Sequence, residues 1–126
     1  MAGPLAGVRV LDLSSAVLGP LATQIMGDLG ADVIKIEAPE GDTTRYTGPA
    51  RSSDMAALFM GVNRNKRSLV LDLKQPAACD ALWRLIDGAD VFIHSIRPQK
   101  NARLGFSHDA VLARNPRMVY AGLHGY

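Results

Sequence analysis

The sequence is poor in the features that mark secreted, membrane-spanning and nucleic-acid-binding proteins. Its one cysteine, Cys79, cannot form an internal disulfide and lies in an apolar periodic stretch, so we interpret it as a small core residue. No apolar run approaches the length of a membrane span, and the first residues lack a basic region followed by an apolar one. The net charge of +2 is too small to favour nucleic acid or a membrane surface as partner. These absences predict a soluble protein of a reducing compartment, most simply the cytoplasm.

Several catalytic and cofactor motifs are also missing. There is no G-x-x-x-x-G-K-[ST] loop, and the stretch 13–19 after the first predicted strand has too few glycines for G-x-G-x-x-G. Ser14 and Ser15 lack the G-x-S-x-G setting of a nucleophile elbow. The histidines do not have the spacing of metal ligands: His94, His108 and His124. The residues alone therefore indicate neither a nucleotide-binding loop of these types, nor a metal site, nor a nucleophile.

What the sequence does contain is a regular alternation of strand and helix patterns. Short apolar, β-branched runs predict five strands, at 8–13, 31–37, 68–73, 89–94 and 118–123. Helical periodicity with Pro, Ser and Gly at the ends predicts helices at 20–29, 76–87 and 107–114. The polar stretches are predicted as loops, at 38–62 with one helical turn near 54–60, and at 95–102. The βαβ units predict an α/β fold with a mostly parallel, Rossmann-like sheet.

A basic segment, Asn63–Lys74, contains the third predicted strand together with the residues on either side of it. Its cations outnumber its single carboxylate, Asp72, and they are Arg64, Lys66, Arg67 and Lys74. The segment is either a solvated loop or part of a binding site, since buried cations need anionic partners. In parallel sheets, ligands gather at the carboxyl ends of the strands, which here are followed by the loops at 14–19, from 37, at 74 and at 95–100. The residues therefore predict a site for a phosphate-bearing ligand with an apolar or amide tail, without an evident catalytic group.

Four collinear stretches resemble the family III CoA-transferases, the enzymes grouped with carnitine CoA-transferase, formyl-CoA transferase and α-methylacyl-CoA racemase. They are R-V-L-D-L-S, G-P-L-A-T-Q-I-M-G-D-L-G-A-D-V-I-K-I-E-A-P-E-G-D, N-R-N-K-R-S-L-V-L-D-L-K and N-P-R-M-V-Y-A. N-R-N-K-R-S followed by L-D-L-K is the specific part, and the resemblance covers essentially all 126 residues. It implies that 1–126 is the N-terminal part of a Rossmann-like, CoA-binding large domain, with the C-terminal part and a small domain absent. It also implies a homodimer whose two chains interlock.

The resemblance implies acyl-CoA and a carboxylic acid as substrates, with no metal. In such transferases an aspartate attacks the thioester to give a mixed anhydride, and the CoA thiolate then forms a thioester with the same aspartate. That aspartate follows the turn after the fifth strand, so we expect it beyond Tyr126, together with the His and Asp of the racemases. The alternatives are a racemase-type enzyme, a non-catalytic CoA-binding module, and a truncated chain that exposes apolar surface and has no ordered function.

By matching position, the resemblance implies a set of CoA-binding residues: Ala16, Val17, Leu18, Leu71, Leu73, Lys74, Ser95, Ile96, Arg103 and Leu104. Lys74 and Arg103 are the partners expected for phosphate, since both present donors to anions. Two positions depart from some members of the family. Ala38 replaces an Arg that lies over the adenine, and Val17 replaces a Gln near the acyl group. Because Val17 cannot donate a hydrogen bond, this departure disfavours a formyl-CoA type of substrate.

We predict that the pure 126-residue chain does not exchange CoA between an acyl-CoA and a carboxylic acid, because the implied nucleophile lies outside it. The measurement is chromatography of the thioesters formed when the chain is incubated with an acyl-CoA and a panel of carboxylates. New thioester above the rate seen without protein contradicts the prediction.

Overall fold

The fold is a single parallel sheet, described for residues 3–125 by a computed structural model. The strands lie in the order β3-β2-β1-β4-β5, and each neighbouring pair is parallel. They are β1 (Arg9–Leu13), β2 (Asp32–Glu37), β3 (Lys66–Val70), β4 (Val91–His94) and β5 (Val119–Gly122). The helices are α1 (Leu18–Asp28), α2 (Ala57–Val62), α3 (Pro76–Asp87), α4 (Pro98–Leu104) and α5 (His108–Arg114), with a 3₁₀ turn at Thr43–Tyr46. The predicted α/β, Rossmann-like architecture is confirmed.

Both faces of the sheet are covered, because successive strand residues point to opposite sides and both sides are apolar. On one face Met26 of α1 packs with Val10 and Val33. On the other face Leu82 and Ile86 of α3 are fully buried at 0% exposure. Each such side chain stabilises the fold by about 1.5–3 kcal/mol relative to exposure. Within residues 3–125, no helix combines the length and apolarity needed to cross a bilayer.

The helix ends coincide with Pro, Ser and Gly residues in the sequence. Pro76 occupies the first turn of α3, where its missing N–H has no partner to lose. The Ser107 hydroxyl accepts a hydrogen bond from the backbone N–H of Ala110 at 3.2 Å and caps α5 as predicted. Gly105 ends α4 with a φ of 91°, a left-handed conformation that favours glycine.

Three stretches differ from the prediction. The third strand runs from Lys66 to Val70 instead of 68–73, so Lys66 and Arg67 belong to the strand and not to a loop. Residues 98–102 of the stretch predicted as a loop belong to helix α4, which continues to Leu104. The helix escaped detection because its one buried residue is polar, Asn101, so no apolar periodicity marks it. The turn predicted near 54–60 lies two to three residues later as α2, at Ala57–Val62.

A buried ion pair explains why a lysine can lie in β3. The Lys66 ammonium donates to Asp12 Oδ2 at 2.9 Å, to the Pro20 carbonyl at 2.9 Å and to Asn63 Oδ1 at 2.8 Å. The side chains of Lys66 and Asp12 are 2% and 0% exposed. Asp12 also accepts from the Thr23 hydroxyl at 2.6 Å and from the backbone N–H and hydroxyl of Ser14. One carboxylate thus joins β1, β3, α1 and the loop after β1.

This contact also sets the charge states of its members. Burial alone would raise the pKa of Asp12, but Lys66, Lys35 and the hydroxyl donors outweigh it and lower that pKa. Burial lowers the pKa of Lys66 in spite of its contact with Asp12. Asp12 thus holds the loop after β1 through Ser14, and its ion pair with Lys66 adds to this role.

Most cations of the Asn63–Lys74 segment are used inside the molecule. Besides Lys66, Arg64 contacts Asp28 at 2.6 Å and Arg67 contacts Asp32 at 2.7 Å. Asp32 also accepts from Arg9 at 2.9 Å, so it anchors surface ion pairs at the start of β2. Within the described part of the chain, Lys74 is the one cation of the segment that forms no ion pair.

We predict that Lys66→Met lowers the free energy of unfolding by about 3–5 kcal/mol, because it leaves the Asp12 carboxylate buried without its cation. Urea unfolding at pH 7 measures the loss. The matched control is Arg67→Met on the same strand, whose ion pair is exposed (64% and 37%) and should cost about 1 kcal/mol or less. Equal losses in the two variants contradict the assignment of Lys66 as the central contact.

Candidate ligand-binding site

A cavity of about 240 Å³ opens at the carboxyl edge of the sheet, where the loops after four strands meet. Its lining comes from the ends of β1 and β2 and from the segments that follow β3 and β4. The lining residues are Leu13, Ser14, Ser15, Ile36, Glu37, Ala38, Gly41, Asp42, Leu71, Asp72, Leu73, Lys74, Ile96, Lys100 and Leu104. This is the position at which parallel α/β sheets bind ligands.

The cavity combines an apolar floor with an ionic margin. Leucine and isoleucine side chains from every contributing segment form the floor: Leu13, Ile36, Leu71, Leu73, Ile96 and Leu104. Lys74 and Lys100, both exposed, lie at the margin. Such a surface suits a ligand that has an apolar body and an anionic group.

Two buried ion pairs fix the wall that follows β2. The Lys35 ammonium donates to Asp42 Oδ2 at 2.9 Å and to the Ser14 carbonyl at 3.1 Å, which joins the β1 and β2 loops. Glu37 accepts from the Arg45 guanidinium through both oxygens, at 2.9 and 2.7 Å, and from the Asp42 backbone N–H at 2.8 Å. The side chains of Lys35 and Asp42 are 2% and 1% exposed. This part of the cavity is therefore preorganised.

The same contacts set the charges of the two acids. Burial by itself would raise the pKa of Asp42, but hydrogen bonds from Thr44 and Lys35 outweigh it and lower that pKa. The pKa of Glu37 is lowered against the same effect of burial, by Arg45 and by the Asp42 backbone N–H. Both acids are ionised at neutral pH, and each has its charge balanced by a cation of the protein.

Half of the residues assigned by resemblance meet in this cavity. Those that line it are Leu71, Leu73, Lys74, Ile96 and Leu104. Ser95 lies beside it, where its hydroxyl accepts a hydrogen bond from the Ser15 backbone N–H at 3.0 Å. The Ala16 backbone N–H donates to Asp42 Oδ1 at 3.3 Å, so this residue joins the loop after β1 to the loop after β2.

The other assigned residues lie outside the cavity lining. Val17 and Leu18, at the start of α1, are 41% and 72% exposed. Arg103 is an exposed residue of α4.

Sequence reasoning did not name several lining residues individually. They include Glu37, Asp42 and Lys100. Glu37 ends β2 and Asp42 lies in the loop after it, where the carboxyl-edge rule could have found them. Lys100 lies in α4, which no apolar periodicity marks in the sequence.

The cavity offers contacts for binding and no evident nucleophile among residues 3–125. Its carboxylates Glu37 and Asp42 are held in ion pairs, and Asp72 accepts the Lys74 backbone N–H at 3.1 Å. The Ser14 hydroxyl donates to Asp12, and no histidine lines this cavity. In the described range no three acidic, histidine or cysteine side chains gather in a metal-binding arrangement.

A second cavity, of about 380 Å³, lies across α4 from the first. It brings together the three histidines that are scattered in the sequence: His94, His108 and His124. His94 accepts a hydrogen bond from the Ile96 N–H at 3.1 Å, and burial together with His124 lowers its pKa. None of the residues assigned by resemblance lines this second cavity, so the first is the candidate site.

The fold and the cavity define an α/β protein whose parallel sheet carries, at its carboxyl edge, a cavity suited to an anionic, partly apolar ligand, without a glycine-rich phosphate loop. The profile of "CoA-transferase family III" matches residues 5–126. The chain belongs to this family, and the resemblance noted in the sequence is confirmed.

Individual relatives agree with this membership. The chain is 41% identical to the succinate–glutarate CoA-transferase of Agrobacterium fabrum, over 98% of the chain and 32% of the relative. It is 44% identical to the formyl-CoA:oxalate CoA-transferase of Streptomyces coelicolor, over 97% of the chain and 30% of the relative. A crystal structure of a CAIB/BAIF family protein from Brucella suis superposes with a TM-score of 0.94 at 35% identity, over 100% of the chain and 34% of that protein. The chain thus spans about a third of the length of the curated relatives it matches.

We predict that stability falls as the pH drops below about 5, because the pKa values of Glu37 and Asp42 are lowered in the folded chain. Their stabilising contribution is complete above the pKa values of the unfolded chain and is lost as the pH falls through those of the folded chain. Urea unfolding at several pH values measures this dependence.

The Asp42→Asn variant isolates the contribution of one acid to the pH dependence of stability. At pH 7 it should lose about 3–5 kcal/mol, because the buried Lys35 loses its counter-charge. Between pH 7 and pH 3.5 its stability should change less than that of the wild type. A wild-type slope in this variant contradicts the role given to Asp42.

Proposed function

We propose that this chain is the N-terminal, CoA-binding part of a CoA-transferase that moves CoA from an acyl-CoA to a carboxylic acid. The observation that carries the proposal is the convergence of five residues, assigned by family motif, on one cavity: Leu71, Leu73, Lys74, Ile96 and Leu104. They come from two separate segments of the chain, 71–74 and 96–104. Family membership across residues 5–126 supports the same reading.

The cavity suits the two kinds of surface that CoA presents. The leucine and isoleucine floor can pack against apolar parts of the ligand, and the Lys74 ammonium at the margin can donate a charge-assisted hydrogen bond to a phosphate. Neither contact requires a glycine-rich loop, which is consistent with the absence of that motif from the sequence. Binding should be favourable without large rearrangement, because the wall after β2 is already held by Lys35 and Arg45.

The chemistry that we propose for the whole enzyme needs an aspartate in addition to these residues. Its carboxylate attacks the thioester carbon, the carbon–sulfur bond breaks, and CoA leaves as the thiolate while a mixed anhydride forms. The thiolate then attacks the aspartyl carbonyl, which releases the first acid and leaves a thioester on the aspartate. Glu37 and Asp42 are held in ion pairs, so we assign this nucleophile to a segment beyond Tyr126.

An exposed apolar stripe on α1 supports a larger assembly of the kind expected for the family. Leu18, Leu21, Ile25 and Leu29 recur along one side of the helix and are 72%, 41%, 51% and 41% exposed. Contiguous apolar surface of this kind is usually covered by further protein. We propose that the large domain of an interlocked homodimer covers it.

We predict that CoA binds the 126-residue chain saturably and that Lys74→Gln weakens binding about five- to tenfold, through loss of a charged hydrogen bond to phosphate. Calorimetric titration of CoA measures both. The matched control is Arg117→Gln, which removes an exposed cation just before β5, at the opposite edge of the sheet, and should leave the affinity unchanged.

The titration also distinguishes a chain that binds CoA from a chain without the proposed site. Saturable binding without exchange activity fits the binding part of a longer enzyme or a CoA-binding module. No binding by wild-type chain whose circular dichroism shows it folded overturns the proposed site.

A further inference from the structure

We propose that His94 is a positioning residue of the CoA cavity, which holds the segment after β4 only while its imidazole is neutral, so that CoA binding weakens in mild acid. The inference rests on the proposed function and adds a proton-dependent contact to it. His94 is not among the residues assigned by resemblance, and it lines the second cavity. It acts on the first cavity through Ile96, whose side chain lines that cavity.

The hydrogen bond between His94 and Ile96 determines which ring nitrogen carries the proton. The Ile96 backbone N–H donates to His94 Nδ1 at 3.1 Å. Because a backbone N–H can only donate, Nδ1 must keep its lone pair, and the proton of the neutral ring lies on Nε2. A protonated imidazole carries N–H groups on both nitrogens and cannot accept. Protonation of His94 therefore replaces this hydrogen bond with two opposed donors.

The surroundings of His94 favour the neutral ring. The residue is 2% exposed, and its ring centroid lies 5.2 Å from that of Tyr120 and 5.3 Å from that of His124. The Nε2 atoms of the two histidines lie near Gly122, where an added Cβ would be 3.4 Å from His94 Nε2 and 2.6 Å from His124 Nε2. Burial lowers the pKa of His94, and the neighbouring His124 lowers it further.

No carboxylate of the described residues balances a charge on His94. Asp109 is the one acid that lines the same cavity, but its side chain is fully exposed and contacts His108 at 3.2 Å. Asp12, on the neighbouring strand, lies on the opposite face of the sheet, where it accepts from Thr23 of α1. No lysine or arginine in the described range lines this cavity. A proton on the ring would therefore be buried without a counter-charge.

The segment that His94 holds belongs to the first cavity. Ile96 forms part of its apolar floor. Ser95 accepts a hydrogen bond from the backbone N–H of Ser15, another lining residue, at 3.0 Å. The His94 carbonyl accepts from the Leu123 N–H at 2.9 Å, so the end of β4 stays anchored when the ring changes charge. Loss of the ring contact should therefore displace the cavity floor while the sheet stays intact.

The test is calorimetric titration of CoA at about pH 7.5 and about pH 5. The ring of His94 gains its proton as the pH falls below the ordinary histidine pKa of about 6.5, so the affinity should fall in that range. The comparison variant is His94→Asn, because an asparagine oxygen can accept from the N–H two residues on and does not titrate. Between the two pH values, the wild type should lose about fivefold more affinity than His94→Asn, the factor expected for one hydrogen bond.

Two further variants separate this role from packing. His94→Phe keeps a ring but has no acceptor, so at about pH 7.5 it should bind CoA about fivefold more weakly than His94→Asn. The matched control is His108→Asn, another histidine of the second cavity, which should show the wild-type pH profile. Titration of the CoA phosphates is common to all variants and cancels in the comparison. Circular dichroism at both pH values establishes that each variant is folded.

The Ile96 amide resonance tests the contact without CoA. In proton–nitrogen correlation spectra it should shift in step with the His94 ring as the pH falls, and it should not do so in His94→Asn. An Ile96 amide that does not follow His94, or equal pH profiles for the wild type and His94→Asn, overturns this inference alone. Absence of CoA binding by the folded wild type at about pH 7.5 overturns the proposed function and the inference with it.

Discussion

The buried carboxylate of Asp12 is the constraint on which the rest of the structure depends. It lies in the central strand, near its carboxyl end, where a parallel sheet covered on both faces offers little water. Burying it is tolerable because Lys66, Thr23 and Ser14 supply donors from three different elements. The buried Asp12 carboxylate needs these donors, and it thereby fixes the positions of the edge strand β3, the helix α1 and the loop after β1.

A second buried ion pair, between Lys35 and Asp42, connects the sheet to the walls of the cavity. Lys35 stands beside Asp12 in the sheet and holds Asp42 and the Ser14 carbonyl, so it joins two walls of the cavity. Glu37 and Arg45 continue the chain of contacts around the loop after β2. Ion pairs of this kind add little net stability compared with apolar packing, but breaking one is costly. Their effect here is to preorganise the cavity walls before a ligand arrives.

The described residues therefore form a cavity whose acids Glu37 and Asp42 hold its walls through ion pairs. The carboxylates near the cavity are neutralised by cations of the protein, and the exposed lysines of the margin remain for an anionic ligand. A division between binding and chemistry is consistent with a chain that spans about a third of its curated relatives in CoA-transferase family III. The described lining offers contacts suited to such a ligand and no evident nucleophile.

Periodicity and family motifs in the sequence determined the parallel α/β fold, the carboxyl-edge location of the site and five of its lining residues. These follow from local patterns, because burial on both faces and strand-to-helix turns leave a signal in neighbouring residues. Only the tertiary structure decided that Lys66 pairs with Asp12, and that Lys100 faces the cavity while Arg103 does not line it. A charge carries no mark of its partner in the sequence, and neither does the amide of Asn101 in α4, which donates to the Tyr120 hydroxyl of β5 at 2.6 Å. Such contacts exist only once the chain is folded.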